Sequence, residues 1–306
     1  NKSIYKTDPI DRFRNQNIDI IVNISASPYE VGKDRNRKEI IQFISSDFNV
    51  PVVFVNQVGG NDGLIFDGGS GVFTDKICLR LPHFKEAVVS IDIDHLTIKK
   101  NSKFETYGPV GVNKLDEMFP LILKSDLDHI LDALSVGIRD YVIKTGFSTI
   151  ILGLSGGIDS ALTAYLAVRA IGKSNVVGVT MPSKYSSKGS VDDSYELAAN
   201  LGMACSTIPI EPMVEGVMET LLPSFENKAP DFTEENIQAR LRGITLMALS
   251  NKHGHLLLTT GNKSELAIGY CTLYGDMCGA LNPIGDLYKP QVYQICEHIN
   301  KKEGSS

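Results

Sequence analysis

The stretch from Ile150 to Ala161, Ile-Ile-Leu-Gly-Leu-Ser-Gly-Gly-Ile-Asp-Ser-Ala, constrains this chain more than any other. An apolar run of strand length, Thr149 to Leu154, meets Ser155-Gly156-Gly157, and an alanine-rich helical pattern runs from Ser160 to Ile171 before Gly172 stops it. Strand, glycine turn and helix start in that order let successive backbone N–H groups converge on one anion at the positive end of a helix. A Walker loop would place four residues between its glycines and a lysine before the hydroxyl residue, and neither is present. Asp159 stands there instead. A carboxylate beside a phosphate nest is repelled unless a cation sits between them, and Mg²⁺ held by one or two carboxylates plus phosphate oxygens is the usual solution. An ordinary tight turn with an aspartate near a helix N-terminus is the plainer alternative. The whole Ser-Gly-Gly-Ile-Asp-Ser string behind a buried strand favours phosphate.

That string resembles the pyrophosphate loop of the N-type ATP pyrophosphatases, which cleave ATP to AMP and pyrophosphate. Alone it names the superfamily and no substrate.

A chain of 306 residues with 42% hydrophobic content is natural for two globular domains. Cys78, Cys205, Cys271, Cys278 and Cys296 are an odd count with no paired spacing, which points to a reduced, cytoplasmic protein. No stretch approaches twenty apolar residues and no signal-peptide pattern opens the chain, so a membrane partner has no support. A net charge of −6 argues against nucleic acid. Anionic substrates must then meet positive groups gathered locally.

Residues 1–124 form the first region. Ile18 to Ala26 and Pro51 to Asn56 read as buried strands around a helix from Arg35 to Phe48. Asn61-Asp62-Gly63 signals a hairpin, and Ala87 to Ile93 reads as further strand. The pattern suggests a layered α/β domain cut short at its front, with residues expected upstream of Asn1. The runs Asn23 to Tyr29 with Gly32-Lys33, Val55 to Gly60, and Phe66-Asp67-Gly68-Gly69-Ser70 resemble the later half of a nitrilase-type glutaminase domain. In that family a cysteine, a glutamate and a lysine hydrolyse the carboxamide, and the resemblance puts all three outside this chain. It implies that Ser27 and Lys33 contact glutamine. Taken without it, they are a polar strand end and a solvated lysine.

The polar stretch from Asp94 to Lys124, with Tyr107-Gly108-Pro109 and Gly111, reads as a linker, and a capped helix from Ser125 opens the second domain, 125–306. Strands and helices then alternate: Val176 to Thr180, Ser190 to Leu201, Ala204 to Ile210, Met213 to Leu222, Glu235 to Lys252 and His255 to Thr260. Such alternation predicts a doubly wound parallel sheet with ligands at the carboxyl ends of its strands. Met181 to Ser187 is a hydroxyl-rich loop carrying Lys184, read as a lid beside the phosphate loop or simply as an exposed loop. Asn236 and Arg240 share one helix face and can act on one ligand, or be a solvated face. Thr260-Gly261-Asn262-Lys263-Ser264-Glu265 ends a buried strand with a hydroxyl and opens a helix with a glutamate, a second hard oxygen for Mg²⁺.

This run, with Tyr274-Gly275-Asp276, resembles NAD synthetase, and with the front domain its glutamine-dependent bacterial form. The resemblance implies ATP contacts at Gly153, Leu154, Ser155, Gly156, Gly157, Ile158, Asp159, Ser160, Thr260 and Lys289. It implies Mg²⁺ at Asp159 and Glu265, and deamido-NAD contacts at Asn236, Arg240, Glu265 and Asp276. Leu273 replaces the lysine of ammonia-dependent relatives, and the chain ends at Ser306, before the family's final helices. The implied reaction has the nicotinate carboxylate of deamido-NAD attack the α-phosphorus of ATP, pyrophosphate leave, and ammonia from glutamine displace AMP. Asp159, Glu265 and Lys184 are the catalytic candidates, and a homo-oligomer is expected. The competing functions are a lone amidase, which would need the missing cysteine, and a nucleotide sensor that binds ATP without turnover.

Overall fold

The computed structural model describes residues 9–74, 77–92, 105–106, 126–184, 186–226 and 228–304. Most of the expected linker, with Tyr107-Gly108-Pro109 and Gly111, and the expected cap at Ser125 lie outside the described residues. The chain divides into two compact units, Asn1–Ala133 and Leu134–Ser306. Among the described residues no helix is long and apolar enough to cross a membrane.

In the first unit, β1 (Ile21–Ser25) leads through α1 (Lys33–Phe48) to β2 (Val52–Asn56), and the two strands pair in parallel. The hairpin β3 (Val58–Asn61) and β4 (Leu64–Asp67) turns on Asp62-Gly63, with Asp62 at φ 50°, a conformation Asp tolerates. β5 (Gly71–Phe73) and β6 (Ile77–Arg80) complete a sheet of order β1-β2-β5-β6, while β7 (Val89–Ser90) pairs with β8 (Glu105–Thr106). Val52, Phe54 and Phe73 bury against Ile41 of α1. The strand expected over Ile18 to Ala26 shortens because its partner β2 offers only five residues to the ladder.

The helix α2 (Asp126–Lys144) spans the division between the units. In the second unit β9 (Ile150–Leu154), α3 (Ile158–Ile171), β10 (Val176–Thr180), α4 (Lys188–Leu201), β11 (Ala204–Thr207), α5 (Glu211–Leu221), α6 (Phe232–His253) and β12 (Leu256–Leu257) follow in turn, then α7 (Lys263–Ile268) and α8 (Lys289–Glu303). The sheet order is β11-β10-β9-β12 and every pairing is parallel. Covered on both faces, β9 is apolar at every position but one, with Ile150, Ile151, Leu152 and Leu154 all buried. Val214 of α5 and Leu241 of α6 pack on Ile151, Val179 and Leu257. Against the same sheet lies α3, in contact with β9, β10, α4 and α8.

β12 is shorter than the His255 to Thr260 run predicts, because the chain changes partner. Leu258 bridges to Leu281, and the Thr259 amide donates to the Leu281 carbonyl at 3.0 Å. Strands β9, β10 and β11 step one way across the sheet, and α6 returns the chain to the other side of β9. The strand order therefore reverses between β9 and β12, and a crevice opens beyond their carboxyl ends.

Candidate active site

The loop after β9 is braced from within. The Gly157 amide donates to Ser155 Oγ at 3.1 Å, and the buried Ser160 hydroxyl donates to the Gly157 carbonyl at 2.9 Å. Ser155, Gly156 and Gly157 are exposed at the start of α3. Ser160 thus holds the loop's shape while Ser155 to Gly157 stay exposed. Gly156 sits at φ +76°, and a Cβ there would lie 2.7 Å from the Ser190 carbonyl oxygen, so α4 approaches to a distance only glycine permits.

Two cavities open at the crevice. One of about 300 Å³ is lined by Gly153, Leu154, Ser155, Thr180 to Pro182, Arg242 and Thr259 among others. The other, of about 590 Å³, takes in Asp159, Ser160, Gly261, Glu265, Tyr270 and Asn282. Ser155, Thr259, Thr260 and Asp276 line both. Gly156, Gly157 and Ile158 line neither.

Asp159 and Glu265, predicted as metal ligands, do reach one cavity from the loops after different strands. Both already have partners. Asp159 forms an ion pair with Lys289 Nζ, and its Oδ1 accepts from Asn262 Nδ2 at 3.2 Å. Glu265 Oε2 accepts from the Asn262 amide and Asn262 Oδ1 from the Glu265 amide, each at 3.1 Å, a reciprocal cap on α7. Asn262 is fully buried, and sequence reasoning missed it as a site residue. Its signal was present: Asn followed three residues later by Glu before a helix. Asn262→Ala removes the cap and one partner of Asp159 together. A stability loss of about 2 kcal/mol is expected in denaturant unfolding, and an unchanged midpoint would contradict it.

Asn236 and Arg240 turn out to hold a loop. Asn236 Oδ1 accepts from Thr272 Oγ1 at 2.8 Å, and Arg240 Nε donates to the Leu273 carbonyl at 3.2 Å. Asp276 Oδ1 accepts from the Thr272 amide at 2.9 Å. Lys184 lines neither cavity; its amide and ammonium both meet Glu211, the ammonium at 3.7 Å. The loop expected as a lid is tied down at Ser183, whose hydroxyl donates to buried Gln238, and at Met181, whose carbonyl accepts from Arg242. Tyr185 lies outside the described residues.

A family model for NAD synthase matches residues 130–303. The chain belongs to the NAD synthase family. It is 46% identical to the glutamine-dependent NAD(+) synthetase of Synechocystis sp., over 99% of this chain and 52% of that one. Against the protein of that description from Thermotoga maritima the identity is 42%, over 94% of this chain and 54% of the relative. The glutamine-dependent NAD+ synthetase of Acinetobacter baumannii, solved in complex with adenosine diphosphate, superposes with a TM-score of 0.85 at 41% identity, over 97% of this chain and 54% of that one. The chain thus spans about half the length of the curated relatives it matches.

In the first unit, Ser27 Oγ accepts from Arg37 at 3.2 Å and its amide donates to Asn56 Oδ1 at 2.8 Å. Lys33 stands at the start of α1, 4.0 Å from Glu30. Beside Ser27, Asp34, Asp67 and His83 bring possible metal-ligating atoms within 4.8 Å of one another. Arg80 and Lys38 pair with Asp34, and Arg37 with Asp67, so these carboxylates are neutralised already and the set does not suit a metal. Burial pushes the Asp67 carboxyl up, but hydrogen bonds from His83 and Arg37 outweigh it and hold it below its ordinary value.

Proposed function

We propose that the protein makes NAD by ATP-dependent amidation of deamido-NAD, using ammonia released from glutamine. The observation that carries this is the meeting of two cavities along a shared wall of Ser155, Thr259, Thr260 and Asp276, with Gly153 and Leu154 lining the smaller and Asp159 and Glu265 the larger. ATP fits the smaller cavity beneath Gly153 to Ser155, and deamido-NAD the larger one, so that the nicotinate carboxylate meets the α-phosphorus at the wall. The carboxylate is itself the nucleophile, and the chain's task is alignment and charge neutralisation. Pyrophosphate leaves along the exposed stretch Ser155 to Gly157 at the positive end of α3. Ammonia then displaces AMP and forms the amide.

Asp159 and Glu265 suit Mg²⁺ as hard oxygens on one cavity, and the ion would add Lewis-acid neutralisation of the phosphates. Lys289 neutralises Asp159 and is 36% exposed, so it can turn to phosphate when a cation takes its place. Lys184, whose ammonium lies 3.7 Å from Glu211 and whose side chain is 58% exposed, can turn to phosphate in the same way. A cytoplasmic homo-oligomer completes the proposal.

The glutamine half is tested at Ser27 and Lys33. In the full-length protein, Ser27→Ala and Lys33→Ala are expected to weaken glutamine-driven NAD formation about tenfold while leaving the ammonium-driven rate unchanged. Equal loss with both nitrogen sources would assign these residues to folding instead.

A further inference from the structure

Two of the basic side chains nominated for phosphate have carboxylate partners, Lys184 with Glu211 and Lys289 with Asp159. Arg242 differs. It projects from α6 into the lining of the smaller cavity, and among the described residues no carboxylate forms an ion pair with it. Its Nε donates to the Met181 carbonyl at 3.2 Å, which fixes the guanidinium plane at the end of β10. Burial lowers its proton affinity and no acid offsets the effect. A partly buried cation without a counter-charge is costly unless a ligand supplies the anion.

An independent observation lies in the same cavity. Thr259 is 7% exposed, and its Oγ1 is buried without a hydrogen-bond partner. A buried hydroxyl left unsatisfied costs free energy that a polar ligand would recover. Ser155, the first residue of the pyrophosphate loop, lines this cavity as well. A fixed guanidinium fork and an unspent hydroxyl beside that loop complement phosphate oxygens better than they complement a nucleobase.

We propose that Arg242 is the phosphate-binding cation of the nucleotide cavity, gripping a phosphate of ATP with its terminal N–H groups while Thr259 donates its hydroxyl to the same ligand. This rests on the cavity's being the ATP site, and it adds a cation from α6 to Lys184 and Lys289. The fork can hold two oxygens at once, whereas a lysine in its place offers a point charge.

The test is calorimetric titration of the protein with ATP and with adenosine, for wild type, Arg242→Gln and Arg242→Lys. Arg242→Gln is expected to weaken ATP about 10- to 100-fold and to leave adenosine unchanged, with Arg242→Lys in between. Equal losses for ATP and adenosine, or no loss for ATP, would overturn the proposal. Should Arg242→Gln not fold, the ATP-to-adenosine ratio of Arg242→Lys decides in the same way. Wild-type protein that binds ATP yet forms no NAD would sink NAD synthesis while the ratio still settles Arg242. Wild type that binds no ATP overturns both.

Discussion

Asp159→Asn is expected to lower NAD formation by at least about 10³-fold while the protein stays folded. Asparagine keeps an oxygen that can accept from Asn262, so that contact at 3.2 Å survives. What disappears is the negative charge. Lys289 loses its counter-ion, but at 36% exposure its ammonium reaches water, and the stability change should be no more than about 1 kcal/mol. Catalysis has no such relief, because the neutral amide is a poor ligand for the cation that must separate carboxylate from phosphate. Pyrophosphate release measured across a Mg²⁺ titration checks this. Turnover near wild type at limiting Mg²⁺ would refute the metal assignment.

Gly156→Ala should abolish ATP binding, with an affinity loss above about 100-fold, and should also destabilise the second unit by about 2 kcal/mol. The backbone at φ +76° is in the left-handed region, which costs alanine about 1–2 kcal/mol. The new Cβ would lie 2.7 Å from Ser190 O and 2.8 Å from Ser190 Cα, backbone atoms that cannot swing aside. Either the loop or the start of α4 must move, and both frame the smaller cavity through Ser155 and Ser190. Gly157→Ala is the control. Gly157 has φ −91°, and its nearest neighbour would be the Ser155 hydroxyl at 3.1 Å, so a mild effect is expected. Calorimetry with ATP and thermal unfolding of both variants check the contrast, and equal behaviour of the two would contradict it.

The parts of the fold legible in sequence are those written locally. Val176 to Thr180 forms the strand its apolar run predicts, and Gly172 ends the helix before it. The Asp62-Gly63 hairpin forms for a similar reason, since the turn chemistry lies within two residues. The site was legible as a set of loops at strand ends and less so as a set of contacts. Lys289 and Asp159 meet across 130 residues of sequence, and nothing local in either announces the pair. Lys184 likewise meets Glu211, the first residue of α5, a partner its own loop does not announce. Asn236 and Arg240 do share a helix face, as their spacing requires, yet that face meets the loop at Thr272 and Leu273. Periodicity gives the face and leaves open what covers it.

The most direct test incubates the full-length protein with ATP, Mg²⁺, deamido-NAD and either glutamine or ammonium, and quantifies NAD, AMP and pyrophosphate together. The account predicts that all three appear in equal amounts and that AMP and pyrophosphate depend on deamido-NAD. Formation of ADP and phosphate in their place, or ATP cleavage without NAD, would contradict it.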